Sequence, residues 1–293
     1  MHTQIKSQNP QIKQNRITNC KDLFTVSLSD NLPVSMSLLL ALFCLIVPSS
    51  SLSALEFPLD VHGRGYLGSY LNSDTIRYNM DASIEVSCML AKLNAFSFFV
   101  RYRDDLDMAE QRGGVTLDPR YAHYYITVGL DYLRAPFFFS AYFVHDCMHD
   151  IDYDVEGTPV FNRSRFQIAS SEFHPSLRLR TSQRFLWSFD IGFYPHWWYH
   201  GFDINAGADY KYDVIVDIVY NIWSIDHFGV DFHPTFQIAK GDTCFYHQHV
   251  VRVKTYYTTQ AKRFGIGLDY NIVNNDPIKS PEKLWLLSLF VEF

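Results

Sequence analysis

The chain has 293 residues, a formal net charge of -6, and 16% aromatic residues, with 24 Phe and 19 Tyr against 6 Met. Its mean hydropathy of -0.09 excludes a bundle of apolar transmembrane helices, and the acidic balance gives no footing for nucleic-acid binding. The length suits one barrel or two modest globular domains.

The first distinctive segment is the apolar run Met36–Pro48, too short to cross a bilayer comfortably as a helix. Small residues follow from Ser49 to Ala54, offering cleavage after Ser53 or Ala54, and Lys6, Lys13, Arg16 and Lys21 lie upstream. This reads as a secretory signal, with a buried helix of the mature protein as the alternative. Translation from Met36 would leave the Gln/Asn-rich stretch before it outside the protein. Cys44 does not fit a lipoprotein site, because bulky Phe43 stands where a small residue is expected. The expected division is residues 1–54 as N-terminal extension and signal peptide, and 55–293 as the mature domain. Loss of Lys6, Lys13, Arg16 and Lys21 together with Asp22 and Asp30 takes the net charge from -6 to -8. Cys88, Cys147 and Cys244 remain, an odd number that allows at most one internal disulfide and excludes a disulfide-stapled scaffold.

From about residue 60 the dominant period is two. Even positions from Tyr124 to Tyr132 are apolar or aromatic, while Tyr125, Thr127, Gly129 and Asp131 fall on the other face. Phe185, Trp187, Phe189, Ile191 and Phe193 alternate with Leu186, Ser188, Asp190 and Gly192. The run from Phe228 to Ile238, against Gly229, Asp231, His233, Thr235 and Gln237, repeats the scheme, as does Phe264–Ile272. Alternation over about ten residues, many times in one chain, is the signature of a transmembrane barrel. A secreted sandwich also alternates, but its strands usually stop after about five or six residues. Candidate strands fall near 60–70, 76–90, 94–103, 120–132, 137–147, 160–170, 172–180, 184–194, 202–212, 213–222, 227–239, 245–257, 263–272 and 284–293. That list gives fourteen; setting aside 60–70 and 172–180, which alternate least clearly, gives twelve. With the last strand ending in the periplasm, segments 104–119, 148–159 and 273–283 fall outside, and the turns 91–94 and 133–136 inside. Pro195–Gly201 falls on the inner side, a discord, since its aromatics suit either interface.

The hairpin 137–168 carries the chemistry to weigh. Phe137, Phe139, Ala141 and Phe143 should face lipid, and the same register turns His145 and Cys147 outward. On the partner strand, Phe166 and Ile168 facing lipid bring Asn162 to that surface. A thiolate at Cys147 could attack an ester carbonyl with His145 as base and Asn162 orienting the imidazole. An apolar, lipid-facing setting opposes the thiolate, however, so a polar girdle at the outer interface is the preferred reading. His145 and His149 would stand about 13 Å apart on a continuous strand, too far to share a metal. His247 and His249 share a face but make an incomplete zinc site. Trp197-Trp198-Tyr199 and Tyr256-Tyr257 read as interfacial belts. Glu85, Arg101, Arg103, Asp131, Arg163, Arg165, Asp190, Asp231, Arg252, Lys254 and Asp269 project to the polar face. Their mixed signs suggest paired interior charges and a narrow or closed lumen rather than a strongly selective pore.

The last strand is the most telling. Trp285, Leu287, Leu289, Val291 and Phe293 form one apolar face, with Ser288 and Glu292 on the other. It resembles the closing strand of bacterial outer-membrane β-barrels, which implies an outer-membrane location and recognition by the barrel-assembly machinery through the strand ending in Phe293. The hairpin resembles outer-membrane phospholipase A, whose His-x-Ser-Asn-Gly strand precedes an Asn-Arg pair. Here His145, Asn162 and Arg163 match, Cys147 stands in the serine's place, and Met148-His149 depart from Asn-Gly. Lipid A deacylases use a related His-x-Ser, but their glutamate has no counterpart here. The hairpin is also similar to an uncharacterised outer-membrane family with a His-x-Ser-Ser-His-x-Gly-Asp segment, matched by His145, His149 and Asp152 and followed by Asn162-Arg163-Ser164-Arg165. The expectation is an all-β, antiparallel transmembrane barrel of 12–14 strands, of structural or small-pore type. The alternative is a lipid acyl hydrolase using His145, Cys147 and Asn162. Membrane lipids are the expected partners, nucleic acid is not, and no cofactor is expected beyond calcium under the hydrolase reading.

Overall fold

The computed structural model describes residues 55–74, 78–109, 119–150, 160–179, 183–194, 210–241, 243–260, 262–275 and 281–293. Its strands are β1 (Asp60–Tyr70), β2 (Met80–Leu93), β3 (Phe96–Met108), β4 (Pro119–Arg134), β5 (Phe137–Asp150) and β6 (Arg163–Ser170). They continue as β7 (Phe185–Phe193), β8 (Tyr212–Ile225), β9 (Phe228–Lys240), β10 (Phe245–Thr258), β11 (Arg263–Asn274) and β12 (Trp285–Glu292). Each pairs antiparallel with its sequence neighbours, and β1 pairs with β12 to close a twelve-stranded barrel. Closure leaves no strand edge to be satisfied by lipid, which offers no hydrogen bonds. The seam runs from Arg64 opposite Glu292 to Tyr70 opposite Leu286. Phe293 continues it, exchanging both backbone hydrogen bonds with Gly63 at 2.8 Å.

Alternation separates wall from lumen as the sequence implies. On β12, Trp285, Leu287, Leu289 and Val291 are 39–66% exposed, whereas Leu286, Ser288, Phe290 and Glu292 are buried inside. On β7, Phe185, Phe189 and Phe193 face out, and Leu186, Ser188 and Asp190 face in. An apolar outer surface this continuous is stable in hydrocarbon and nowhere else.

Chain reversals at the rim that carries Asp60 and Phe293, the inner rim in the expected orientation, are short. Asn94 and Asp226 take left-handed backbone angles (φ 56° and 50°) in the β2–β3 and β8–β9 turns, a conformation these short polar side chains tolerate. The exception lies between β6 and β7, where the sequence pattern suggests a strand at 172–180. The structure instead has a 3₁₀ turn (Ser171–Phe173) and a one-turn helix α1 (Pro175–Arg178). His174 caps α1, its ring accepting from the Ser176 amide at 3.3 Å. Pro175 begins the helix, where a missing N–H costs nothing. The Leu177/Leu179 and Arg178/Arg180 alternation was therefore no strand signal.

The candidate strand at 202–212 lies almost wholly outside the described residues, and Tyr212 opens β8. With twelve strands, β7 ends and β8 begins at the outer rim. Pro195–Gly201, the signal region 1–54 and Asp152 all lie outside the described residues.

Candidate functional site

Two places carry polar chemistry: the outward face of β5 near the outer rim, and the lumen. On β5 the side chains of His145 and Cys147 point outward, opposite Ile126 and Tyr124 of β4. Cys147 also forms an isolated bridge to Val160, which brings the chain ahead of β6 alongside. Asn162, just before β6, places Oδ1 2.7 Å from His145 Nδ1. With Oδ1 accepting, Nδ1 carries the proton and Nε2 of the neutral ring keeps its lone pair. Cys147 is 8% exposed, and among the described residues its sulfur makes no hydrogen bond to the imidazole. Outward side chains two apart on a strand stand about 7 Å apart, which explains the separation. The structure thus brings His145 and Asn162 together and leaves Cys147 beside them. Tyr102 and Tyr124 stack at 6.5 Å, and His149 meets Tyr124 at 5.3 Å, so the surroundings are aromatic. Arg163 points the other way, into the lumen, where its guanidinium bonds Asp146. No group of three or more metal-ligating side chains forms among the described residues.

Among the described residues, the lumen carries its aromatic and charged side chains in layers. Near the outer rim Phe161, Tyr194, Tyr210, Ala239 and Tyr246 form an apolar cluster, with Tyr210 edge-on to Tyr246 at 5.3 Å. Beneath it Arg165, 3% exposed, bonds Asp190 at 2.8 Å and both oxygens of fully buried Asp213 at 2.9 Å. Tyr142 donates to Asp190, and Tyr194 and Gln237 donate to Asp213 at 3.2 and 3.3 Å. Asp146 receives Arg163 and His123, and Tyr125 meets the other His123 nitrogen at 2.9 Å. Around the wall follow Arg252–Asp269 at 2.7 Å, Lys254–Glu292 at 2.7 Å and Arg64–Glu85 at 2.9 Å. Arg165, Asp190 and Asp213, all buried, are charges that a low-dielectric setting tolerates only when paired.

The inner end is occupied by the β6–β7 segment. His174, 3% exposed, sets its ring edge-on to Phe138 at 5.0 Å and places Nε2 3.4 Å from Asp131. Ser140 holds the other Asp131 oxygen at 2.6 Å. From that anchor α1 runs against β1, which the ring order places directly opposite β7. The segment therefore crosses the lumen rather than hanging below it.

No family model matches this sequence, and no curated protein matches it either. Among solved structures, the chain is similar to the Salmonella typhi outer membrane phospholipase dimer with bound calcium. That match has 12% identity, covers 81% of this chain and 92% of that chain, and has a TM-score of 0.51. The chain is also similar to outer membrane phospholipase A from Escherichia coli (12% identity, 83% and 98% covered, TM-score 0.49). A third likeness is to an outer membrane channel from Pseudomonas putida F1 (9% identity, 84% and 98% covered, TM-score 0.47). The chain has the closed transmembrane β-barrel fold. At these identities the likeness concerns fold, and the chemistry must be argued from this chain's own residues.

Sequence reasoning identified the inward charges but missed the residues of the segment that crosses the inner end. His174 and Arg178 were hidden by reading 172–180 as a strand; His174-Pro175-Ser176, a cap followed by proline, was the available signal. Asp146 and Asp213 were overlooked although period two assigns both to the polar face.

Proposed function

We propose that this outer-membrane barrel is of the structural type, a closed cylinder that conducts little or no solute. The observation that carries this reading is the course of the β6–β7 segment across the lumen to β1. The paired charges above it and the aromatic cluster at the outer rim support it. An open pore needs a continuous wet path lined by charges free to meet an ion. Here Arg165, Asp190 and Asp213 spend their charge on one another. The test is conductance in planar bilayers. The intact protein should give no steady current, and a variant with residues 172–182 replaced by a short glycine-rich turn should conduct. Steady, porin-like steps from the intact protein would overturn the proposal.

A second reading is favoured by one contact, His145 Nδ1 to Asn162 Oδ1 at 2.7 Å. Under it the barrel wall hydrolyses lipid esters. Nε2 of His145 takes the Cys147 thiol proton, the sulfur adds to the ester carbonyl, and the proton passes to the departing lysolipid alcohol. Water, activated by the same imidazole, then cleaves the thioester and frees the fatty acid. Calcium would assist as a Lewis acid on the carbonyl. A rotation about the Cys147 side chain is required first, since sulfur and imidazole are not bonded at rest. Fatty-acid release from phospholipid micelles with calcium, lost in Cys147→Ala and reduced in Asn162→Ala, would establish it. Activity that persists in Cys147→Ala would remove the thiol from the scheme.

A further inference from the structure

At the inner rim a cavity of about 200 Å³ opens between the end of α1, the β8–β9 turn and the inner ends of β10 and β11. Three guanidinium groups line it: Arg178, Arg184 and Arg263. Arg263 is committed in part, its Nη1 3.4 Å from Asp231 and 3.6 Å from Glu292 and its plane over the Tyr256 ring at 4.0 Å. Its Nε is buried without an acceptor. Arg178 has no hydrogen bond or ion pair among the described residues, and its guanidinium lies over the Phe173 ring, 5.1 Å from the centroid. Arg184 contributes its carbonyl to Asn221 at 2.8 Å, and its side chain has no partner among the described residues.

The acids nearby are Asp217, Asp226, Asp231 and Glu292, and none of them bonds Arg178 or Arg184 among the described residues. Asp217 accepts from His233 at 3.1 Å and Thr235 at 2.6 Å. Asp231 already accepts from Asn221 at 2.8 Å and Tyr256 at 2.9 Å as well as from Arg263. Glu292 is held by Lys254 at 2.7 Å. Asp226 sits exposed at the tip of the β8–β9 turn. Burial pushes the Arg178 guanidinium below its ordinary range, reinforced by Arg64 and Arg263, against the pull of Glu292 and Asp217. A cavity lined by two guanidinium groups that have no ion pair among the described residues, each a planar donor fork, is matched by an oxyanion that can accept several hydrogen bonds at once.

We propose that this cavity is a binding site for a single phosphoryl group, held by Arg178 and Arg184 with Arg263 behind them. The group is that of a small phosphate or phosphomonoester, or that of an anionic lipid headgroup reaching in from the inner leaflet. The site stands apart from His145 and Cys147, which lie at the opposite rim, and it holds whether or not the lumen conducts.

The probe is radiolabelled inorganic phosphate in equilibrium dialysis with the full barrel in neutral detergent at fixed ionic strength. One phosphate should bind per barrel, displaced by sulfate far more readily than by chloride. Arg178→Gln and Arg184→Gln should each weaken binding by about tenfold, as loss of a charge-assisted hydrogen bond implies, and the double variant should abolish it. Arg178→Lys should restore part of the affinity, since a point charge replaces the fork. Heat-modifiable gel mobility confirms that each variant retains the barrel. The second arm repeats the titration in nanodiscs of phosphatidylcholine with and without phosphatidylglycerol. Competition by phosphatidylglycerol assigns the site to a lipid headgroup, and its absence assigns it to a free solute. Phosphate binding that survives the folded double variant, or no binding of phosphate and no phosphatidylglycerol effect, overturns the site.

Discussion

The packing around Gly192 gives the sharpest test of the lumen network. A Cβ on this residue would lie 2.0 Å from Asp213 Oδ1 and 2.7 Å from Arg165 Nη1, well inside any tolerated contact. Gly192→Ala therefore has to push the Asp213 carboxylate away from the guanidinium that bonds both of its oxygens at 2.9 Å. Asp213 is fully buried, so neither water nor a second cation is at hand to take over. Breaking a buried pair while leaving both charges in place costs about 3–5 kcal/mol. The lower end, about 3 kcal/mol, is expected because Tyr194 and Gln237 can follow Oδ2 part of the way. Gly63→Ala is the control. Its Cβ meets only the outward Phe293 ring, at 2.5 Å, and a chain-end side chain can swing into lipid, for a change within about 0.5 kcal/mol. Urea unfolding of the refolded barrel in lipid, followed by tryptophan fluorescence, measures both. Should Gly192→Ala unfold at the same free energy as Gly63→Ala, the Arg165–Asp213 pair does not hold the lumen closed and the reasoning fails.

His174→Ala removes the α1 cap, the Asp131 contact and the ring against Phe138. It should cost about 1–3 kcal/mol in the same unfolding assay and produce flickering conductance where the parent is silent. Val128→Arg places a cation on the lipid face near mid-strand of β4. It should cost about 2–4 kcal/mol, whereas Thr127→Ser, one position away and inward, should change stability by less than about 1 kcal/mol. Asn162→Ala leaves the His145 ring without its Oδ1 acceptor. It should broaden the imidazole proton resonance of His145 and lower any lipase activity, with the unfolding free energy shifted by no more than about 1.5 kcal/mol.

Wherever a strand was long and one of its faces met lipid, its place could be read in advance. The period-two pattern of β7, β9 and β12 reproduces their wall and lumen faces residue by residue, because hydrocarbon on one side punishes a one-residue slip at every position. The outward register of His145 and Cys147 was legible for the same reason, since Phe137 to Phe143 set it. The proximity of Asn162 to His145 was legible as well, because a hairpin partner is fixed once both lipid faces are known.

What the sequence by itself determined is the membrane-facing cylinder: apolar outside, charged inside, with short inner turns. The tertiary structure alone decided what fills it. Leu177 and Leu179 alternate with Arg178 like strand residues, and only the lumen, by giving His174 an acid at Asp131 and α1 a wall at β1, turns that stretch into a short helix inside the barrel. The sequence likewise supplies Arg178 and Arg184 in one short segment and Arg263 far downstream, with nothing to connect them. Their convergence at one cavity depends on the curvature of a closed sheet and on a segment folded across it. Local alternation encodes which way a side chain points, whereas which charges meet depends on strands distant in sequence.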